Sequence, residues 1–243
     1  MPIFERDGVS LHYEEFGSGY PLLLFAPGGM RSAMDFWHRS PFDPTREFAN
    51  DFRVIAMDQR NAGNSRAPVT TQDSWETYTA DHVALLDHLG IQATHIMGGC
   101  IGSSYCLGLI KAIPDRISAA VLQNPIGLSN NNRQDFINMF DEWATELKGQ
   151  QSGLDDQTLA GFRNNMFGGE FVFSVSREFV QHCQTPLLVL AGNDQFHPTA
   201  TAREIVSLSP NAQLVLKWRE PEVVAETVKT VRAFLQSHTP VTV

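Results

Sequence analysis

The chain has little that would tie it to a framework of cross-links, a membrane or a nucleic acid. It holds only three cysteines, Cys100, Cys106 and Cys183, among 243 residues. An odd number with no Cys-x-x-Cys pair rules out a disulfide framework and a paired-cysteine zinc site. No cluster of arginine and lysine occurs, and 18 basic residues against 27 acidic ones leave a formal charge of −9. That balance argues against nucleic acid, and against an anionic membrane surface, as a partner. No apolar run reaches the roughly 18 residues that a membrane span needs. The opening Met1-Pro2-Ile3-Phe4-Glu5-Arg6-Asp7 lacks the basic start and apolar stretch of a signal peptide. A cytoplasmic location is therefore expected, where a reactive thiol stays reduced. Metal-ligand clusters, glycine-rich phosphate loops and internal repeats are missing as well, so no metal and no cofactor is implied.

What is present is an ordinary globular composition, 42% hydrophobic and 19% charged, enough to bury a sizeable core. Residues 11–16 alternate in polarity between Asp7-Gly8 and Gly17-Ser18-Gly19, the pattern of a strand ending in a turn. Residues 21–26 are continuously apolar, as in a strand buried on both faces. Short apolar strands are also expected at 53–57, 117–123, 187–191 and 213–216. Helices are expected at 74–89, capped by Asp73 with Glu76 and closed by Gly90, at 199–208, and at 221–236 opened by Pro221. Strands alternating with helices imply βαβ units and a mostly parallel sheet.

One stretch organises the rest. Residues 94–104 read as a short strand, a tight turn and the start of a helix that stops before Pro114, with Gly98 and Gly102 flanking Cys100. Small residues on both sides of so sharp a turn let two backbones pass closely and push the apical residue into the open. This is the nucleophile-elbow pattern, with cysteine where serine is usual. A thiol at a helix N-terminus sits in positive potential and leans towards thiolate.

With that motif in place the whole chain resembles the α/β-hydrolase superfamily. The opening 7–13 with Gly17-Ser18-Gly19 is similar to the family's first hairpin. Asp58-Gln59-Arg60-Asn61-Ala62-Gly63-Asn64-Ser65 is similar to its Asp-x-Arg-Gly-x-Gly-x-Ser turn, and Ala191-Gly192-Asn193-Asp194 to the Gly-x-Asp turn that carries its triad acid. The resemblance implies an α/β-hydrolase fold, a mostly parallel sheet flanked by helices. Residues 1–125 and 186–243 would form the core and 126–185 a helical cap inserted over the strand C-termini. The insertion is broken by asparagines at 130–132 and by several glycines. It carries many large apolar side chains, among them Phe136, Met139, Phe140 and Trp143, expected to seat it and to line a partly apolar pocket for a small-molecule substrate.

The resemblance also implies roles. Cys100 is the attacking atom, and the N–H of Ile101 is one oxyanion donor. The second donor belongs to the loop after residue 26, where Pro27 has no N–H, which leaves Gly28 or Gly29. Asp194 matches the triad acid. The family's histidine, normally in a Gly-His pair between the last strand and the last helix, is missing: residues 213–216 run almost directly into Lys217-Trp218-Arg219-Glu220-Pro221. Two of the eight histidines remain as candidates. His197 follows Asp194 in the same loop, and His38 follows the oxyanion loop and is placed to line a pocket. A turn histidine ahead of Pro198 needs no catalytic reason to exist, so the choice between His197, His38 and neither stays open. Arg60 is expected to brace loops and Arg219 to be solvated.

Three functions fit these residues. The first is a hydrolase with a cysteine nucleophile acting on an ester, thioester or lactone. The second is a cofactor-free lyase or C–C bond enzyme on the same fold. The third is a non-catalytic ligand-binding protein whose triad has decayed.

Overall fold

The computed structural model describes residues 2–129 and 131–241, so Met1, Asn130, Thr242 and Val243 lie outside it, and with Asn130 one residue of the expected break at 130–132. Its strands are β1 (Ile3–Arg6), β2 (Val9–Phe16), β3 (Tyr20–Phe25), β4 (Phe52–Met57), β5 (Thr94–Gly99), β6 (Ile117–Gln123), β7 (Leu187–Leu190) and β8 (Ala212–Val215). They form one sheet in the order β1-β2-β4-β3-β5-β6-β7-β8. The hairpin β1–β2 and the β2–β4 pair are antiparallel, and every other pairing is parallel.

Alternation along the central strands divides the core. Leu22 and Leu24 face one side of the sheet with Trp37, Phe48 and Trp218, and Leu23 and Phe25 face the other. On the Leu22 side packs α8 (Val224–Ser237), through Val228, Val231 and Leu235. On the Leu23 side lie α2 (Trp75–His88), α3 (Ile101–Ala112) and α7 (Thr199–Leu208). The short α1 (Pro44–Glu47) precedes β4. Arg60, after β4, is buried and holds the α2 residue Asp81 through two bonds of 2.8 and 2.9 Å, the bracing expected of it.

Two helix starts differ from expectation. The N-cap of α2 is Ser74, whose N–H donates to Thr77 Oγ1 at 3.0 Å. Asp73 is engaged elsewhere, accepting the Thr70 N–H at 3.1 Å and lying 3.7 Å from Arg60. Helix α8 begins at Val224 and not at Pro221, because Glu220 O accepts the N–H groups of Val223 and Val224 in a separate turn.

Between β6 and β7 run α4 (Arg133–Gln150), α5 (Asp156–Phe167) and α6 (Arg177–His182). Phe136, Phe140, Phe162 and Phe167 are fully buried in the same apolar cluster as Ile101 and Tyr105 beneath the elbow. Each such side chain contributes about 1.5–3 kcal/mol by burial. The fork of Arg31 on Glu146, at 2.8 and 2.7 Å, also ties α4 to the loop after β3, but as an exposed pair it is worth at most about 1 kcal/mol. Aromatic burial therefore seats these helices. Among the described residues no helix is long and apolar enough to cross a membrane.

This ranking has a measurable form. Urea denaturation is expected to show a loss of about 3–5 kcal/mol for Phe140→Ala and of less than about 1 kcal/mol for Glu146→Ala.

Candidate active site

The site is built on the turn from β5 to α3. Cys100 stands at the N-cap of α3 with φ 57° and ψ −120°, a backbone conformation rare for a side-chain-bearing residue. Close approach enforces it. A Cβ on Gly98 would lie 2.1 Å from Gly102 O, and one on Gly102 would lie 2.1 Å from Phe25 O. The strained turn is held from below. The Cys100 N–H donates to Gln123 O at 2.8 Å, and Ser103 Oγ donates to Gly98 O at 2.9 Å and Gln123 O at 3.1 Å.

The acid and the histidine come from one loop after β7. Asp194 Oδ1 accepts the N–H groups of Phe196 and His197 at 3.0 and 3.1 Å, and lies 2.7 Å from His197 Nδ1. Gly192 makes the fold-back possible, since a Cβ there would sit 2.3 Å from His197 Cβ. With Nδ1–H given to Asp194, the buried Nε2 is left without a hydrogen-bond partner, and the charge of the ring acts on the Cys100 thiol.

Electrostatics follow from this contact. Burial pushes the Cys100 thiol up, but the charge and hydrogen bond of His197 and the N–H groups of Ile101 and Gly28 outweigh it, so the thiol lies below its ordinary value. Burial pushes His197 down, yet the sulfur and Asp194 raise it to about 9. Burial likewise raises the Asp194 carboxyl, and His197 with the loop N–H groups brings it below the ordinary carboxylate range. Each of the two groups therefore favours the charged form of the other.

The structure thus brings Cys100, His197 and Asp194 together. It also turns the N–H groups of Ile101 and Gly28 towards the sulfur, where an oxyanion would form. Gly29 opens the next 3-10 turn (Gly29–Arg31), under Met139 of α4. His38 is not brought to the site. Its Nδ1 lies 2.7 Å from Asp43 Oδ2, and it lines a surface cavity of about 190 Å³ with His12, Met34 and Asp58, away from Cys100. His82 and His95 are buried, burial lowering them to about 3 and about 4, and they remain uncharged within the core. Among the described residues no group of three or more His, Cys, Asp or Glu is placed to hold a metal ion.

Two contributors escape sequence reasoning. Trp218, in the loop after β8 where a histidine was sought, is fully buried, donates its indole N–H to Ala191 O at 2.7 Å and packs on Phe42. It fills that space and anchors the end of β7. Its position in the shortened loop is its one signal. Asn132, just before α4, donates to Gln195 O at 2.7 Å; an asparagine in a polar break carries no signal at all.

Removing the imidazole leaves burial unopposed by its charge. His197→Ala is therefore expected to lift the Cys100 titration, and to slow alkylation of Cys100 by iodoacetamide at pH 7 by about tenfold or more. An unchanged alkylation rate across pH 5–10 would show that the two groups do not interact.

Comparison with known proteins places this geometry among relatives. Residues 21–167 match the protein family described as alpha/beta hydrolase fold. The match includes the elbow and ends before Asp194 and His197. A 2-hydroxymuconate semialdehyde hydrolase of Pseudomonas putida is 30% identical over 128 residues, 50% of this chain and 42% of that protein. A soluble epoxide hydrolase of Corynebacterium sp. (strain C12) is 35% identical over 98 residues, 40% of this chain and 32% of that protein. The chain thus spans less than half the length of these curated relatives. Among solved structures, an N-acyl homoserine lactone degrading enzyme superposes with a TM-score of 0.72 at 20% identity, covering 96% of this chain and 100% of that one.

Proposed function

Because the chain belongs to the alpha/beta hydrolase fold family, we propose that it is a hydrolase in which Cys100 attacks, His197 carries the proton and Asp194 orients His197. The observations that carry this reading are the 2.7 Å contact of Asp194 with His197 and the electrostatic coupling of His197 to the Cys100 thiol. The bond classes are an ester, thioester or lactone, in a small and partly apolar substrate. The relatives named above are a semialdehyde hydrolase, an epoxide hydrolase and a lactone-degrading enzyme, different in substrate, two of them hydrolases by name.

The reaction closes on the groups present. The Cys100 thiolate adds to the carbonyl carbon and the C=O pair moves to oxygen, which the N–H groups of Gly28 and Ile101 receive. The tetrahedral intermediate collapses, its leaving oxygen takes the proton from His197 Nε2, and an acyl thioester stays on Cys100. Water then adds to that thioester and gives its proton to the neutral His197. The second collapse releases the acid and restores the thiolate and imidazolium. Asp194 stays ionised throughout and holds the imidazole in one orientation.

Residues 126–185 act as the cap over the core formed by 1–125 and 186–243. Met139 over Gly29 of the oxyanion loop, and Phe136 against Phe196 next to His197, present apolar surface, which supports a partly apolar substrate. A thiol nucleophile also favours a reducing compartment such as the cytoplasm.

Intact-protein mass spectrometry with activated esters and thioesters, sampled through several turnovers, tests the reading. An acyl adduct that maps to Cys100 and then decays is the expected result; absence of an adduct, or one that never leaves, would overturn it. The pH dependence has a definite sign. Acylation by an alkyl ester should rise as the thiol ionises, below its ordinary value, and fall through about pH 9 as His197 loses its proton. A p-nitrophenyl ester, whose leaving group needs no proton, should lack the alkaline fall.

A further inference from the structure

The N–H groups of Phe196 and His197 tie the Asp194–His197 pair within its own loop, but not the loop to the rest of the site. The Asp194 side chain is 47% exposed, and an ion pair open to water fixes little geometry by itself. Yet a misplacement of about 1 Å at a reacting group can cost on the order of a hundredfold in rate. Something else must set the position of this loop.

That support comes from one helix of the insertion. Asn132 is buried at the start of α4, and its amide is used three ways. Nδ2 donates to Gln195 O at 2.7 Å and to Gly127 O at 2.9 Å, and Oδ1 accepts the Ser129 N–H at 3.0 Å. Gln195 lies inside the loop between Asp194 and His197. One turn further along α4, the Phe136 ring meets Phe196 nearly edge-on, with centroids 5.4 Å apart. About one more turn on, Met139 covers Gly29 in the oxyanion loop, and beyond it Trp143 and Glu146 reach Asn61 and Arg31. Residues 132 to 139 advance only about 10 Å along a helix, so a single rigid segment touches the base loop and the oxyanion loop.

We propose that Asn132 and Phe136 are positioning residues for His197: α4 sets the base loop at the distance from the oxyanion loop at which the imidazole meets Cys100. The proposal rests on the triad reading of the site. It follows that the nucleophile is armed only while α4 is seated, and that substrate access and nucleophile activation are coupled through the same helix.

The test uses the full chain with Asn132→Leu, which keeps approximate shape and removes the amide, and Phe136→Leu, which keeps apolar bulk and removes the ring contact. Three quantities are read: the pH profile of Cys100 alkylation by iodoacetamide, kcat and KM on an activated ester, and the thermal midpoint. The expected result is alkylation at pH 7 slowed about tenfold as the thiol titration moves up, with kcat falling at nearly constant KM. The losses should not multiply with that of His197→Ala, because both routes remove the same contact. A lowered thermal midpoint with a wild-type alkylation profile would assign both residues a purely structural role and overturn the proposal. If Asn132→Leu does not fold, Phe136→Leu carries the same readings. A shift in His197→Ala with none in the α4 variants defeats this proposal alone; no shift in His197→Ala defeats the triad reading beneath it.

Discussion

The close approach of two backbones at Gly98 and Gly102 is the constraint on which the site depends. β5 can turn into α3 within one residue only because neither flank carries a Cβ. The cost is the strained conformation of Cys100 at φ 57°, of the order of 1–3 kcal/mol. It is sustained by bonds to Gln123 O and Gly98 O and by the apolar cluster packed around Ile101. In return the sulfur stands at the amino end of α3, above the sheet, with the N–H groups of Ile101 and Gly28 turned towards it.

Around that fixed point the proton-moving groups are arranged economically. Asp194 and His197 share one turn after β7, joined by a 2.7 Å contact, so in the proposed triad one loop supplies both groups. The loop after β8 is correspondingly short, and the Trp218 indole occupies the room left there while bonding Ala191 O. Compressing acid and base into one partly exposed loop shifts the task of orientation to neighbours, and α4, the helix that lies over the oxyanion loop, is the neighbour in contact.

The electrostatic consequence is a thiol at the elbow that ionises more readily than an isolated one. Burial alone would keep both the thiol and the imidazole neutral, because removing either charge from water is unfavourable. Facing each other they reverse that preference, and the thiol falls as the imidazole rises to about 9. A serine in the same place would gain far less from an imidazolium, since its hydroxyl is much harder to ionise. Cysteine at position 100 and histidine at position 197 therefore make sense as a pair.

Much of this was legible in the chain before any coordinates. Apolar runs bounded by turn residues mark strands, and Gly-x-Cys-x-Gly after such a run marks an elbow, because these patterns report local sterics and burial on a short scale. Cys100 and the donor Ile101 follow from position within the elbow, while Asp194 is singled out by the resemblance of its turn to the family's Gly-x-Asp turn. Tertiary structure separates His197 from His38. The two imidazoles lie at similar local signals, and what separates them is the partner each finds, Asp194 in the loop after β7 for His197 and Asp43 for His38. The same holds for Trp218, which looks like part of a surface turn until β7 and β8 are paired, and for Asn132, whose amide has a function only where α4 meets the loop after β7. The sequence determines which segments turn, pack and carry reactive atoms; which of those atoms meet is set by how the strands and the inserted helices stack, since contact between distant side chains depends on the whole chain's packing and not on the residues beside them.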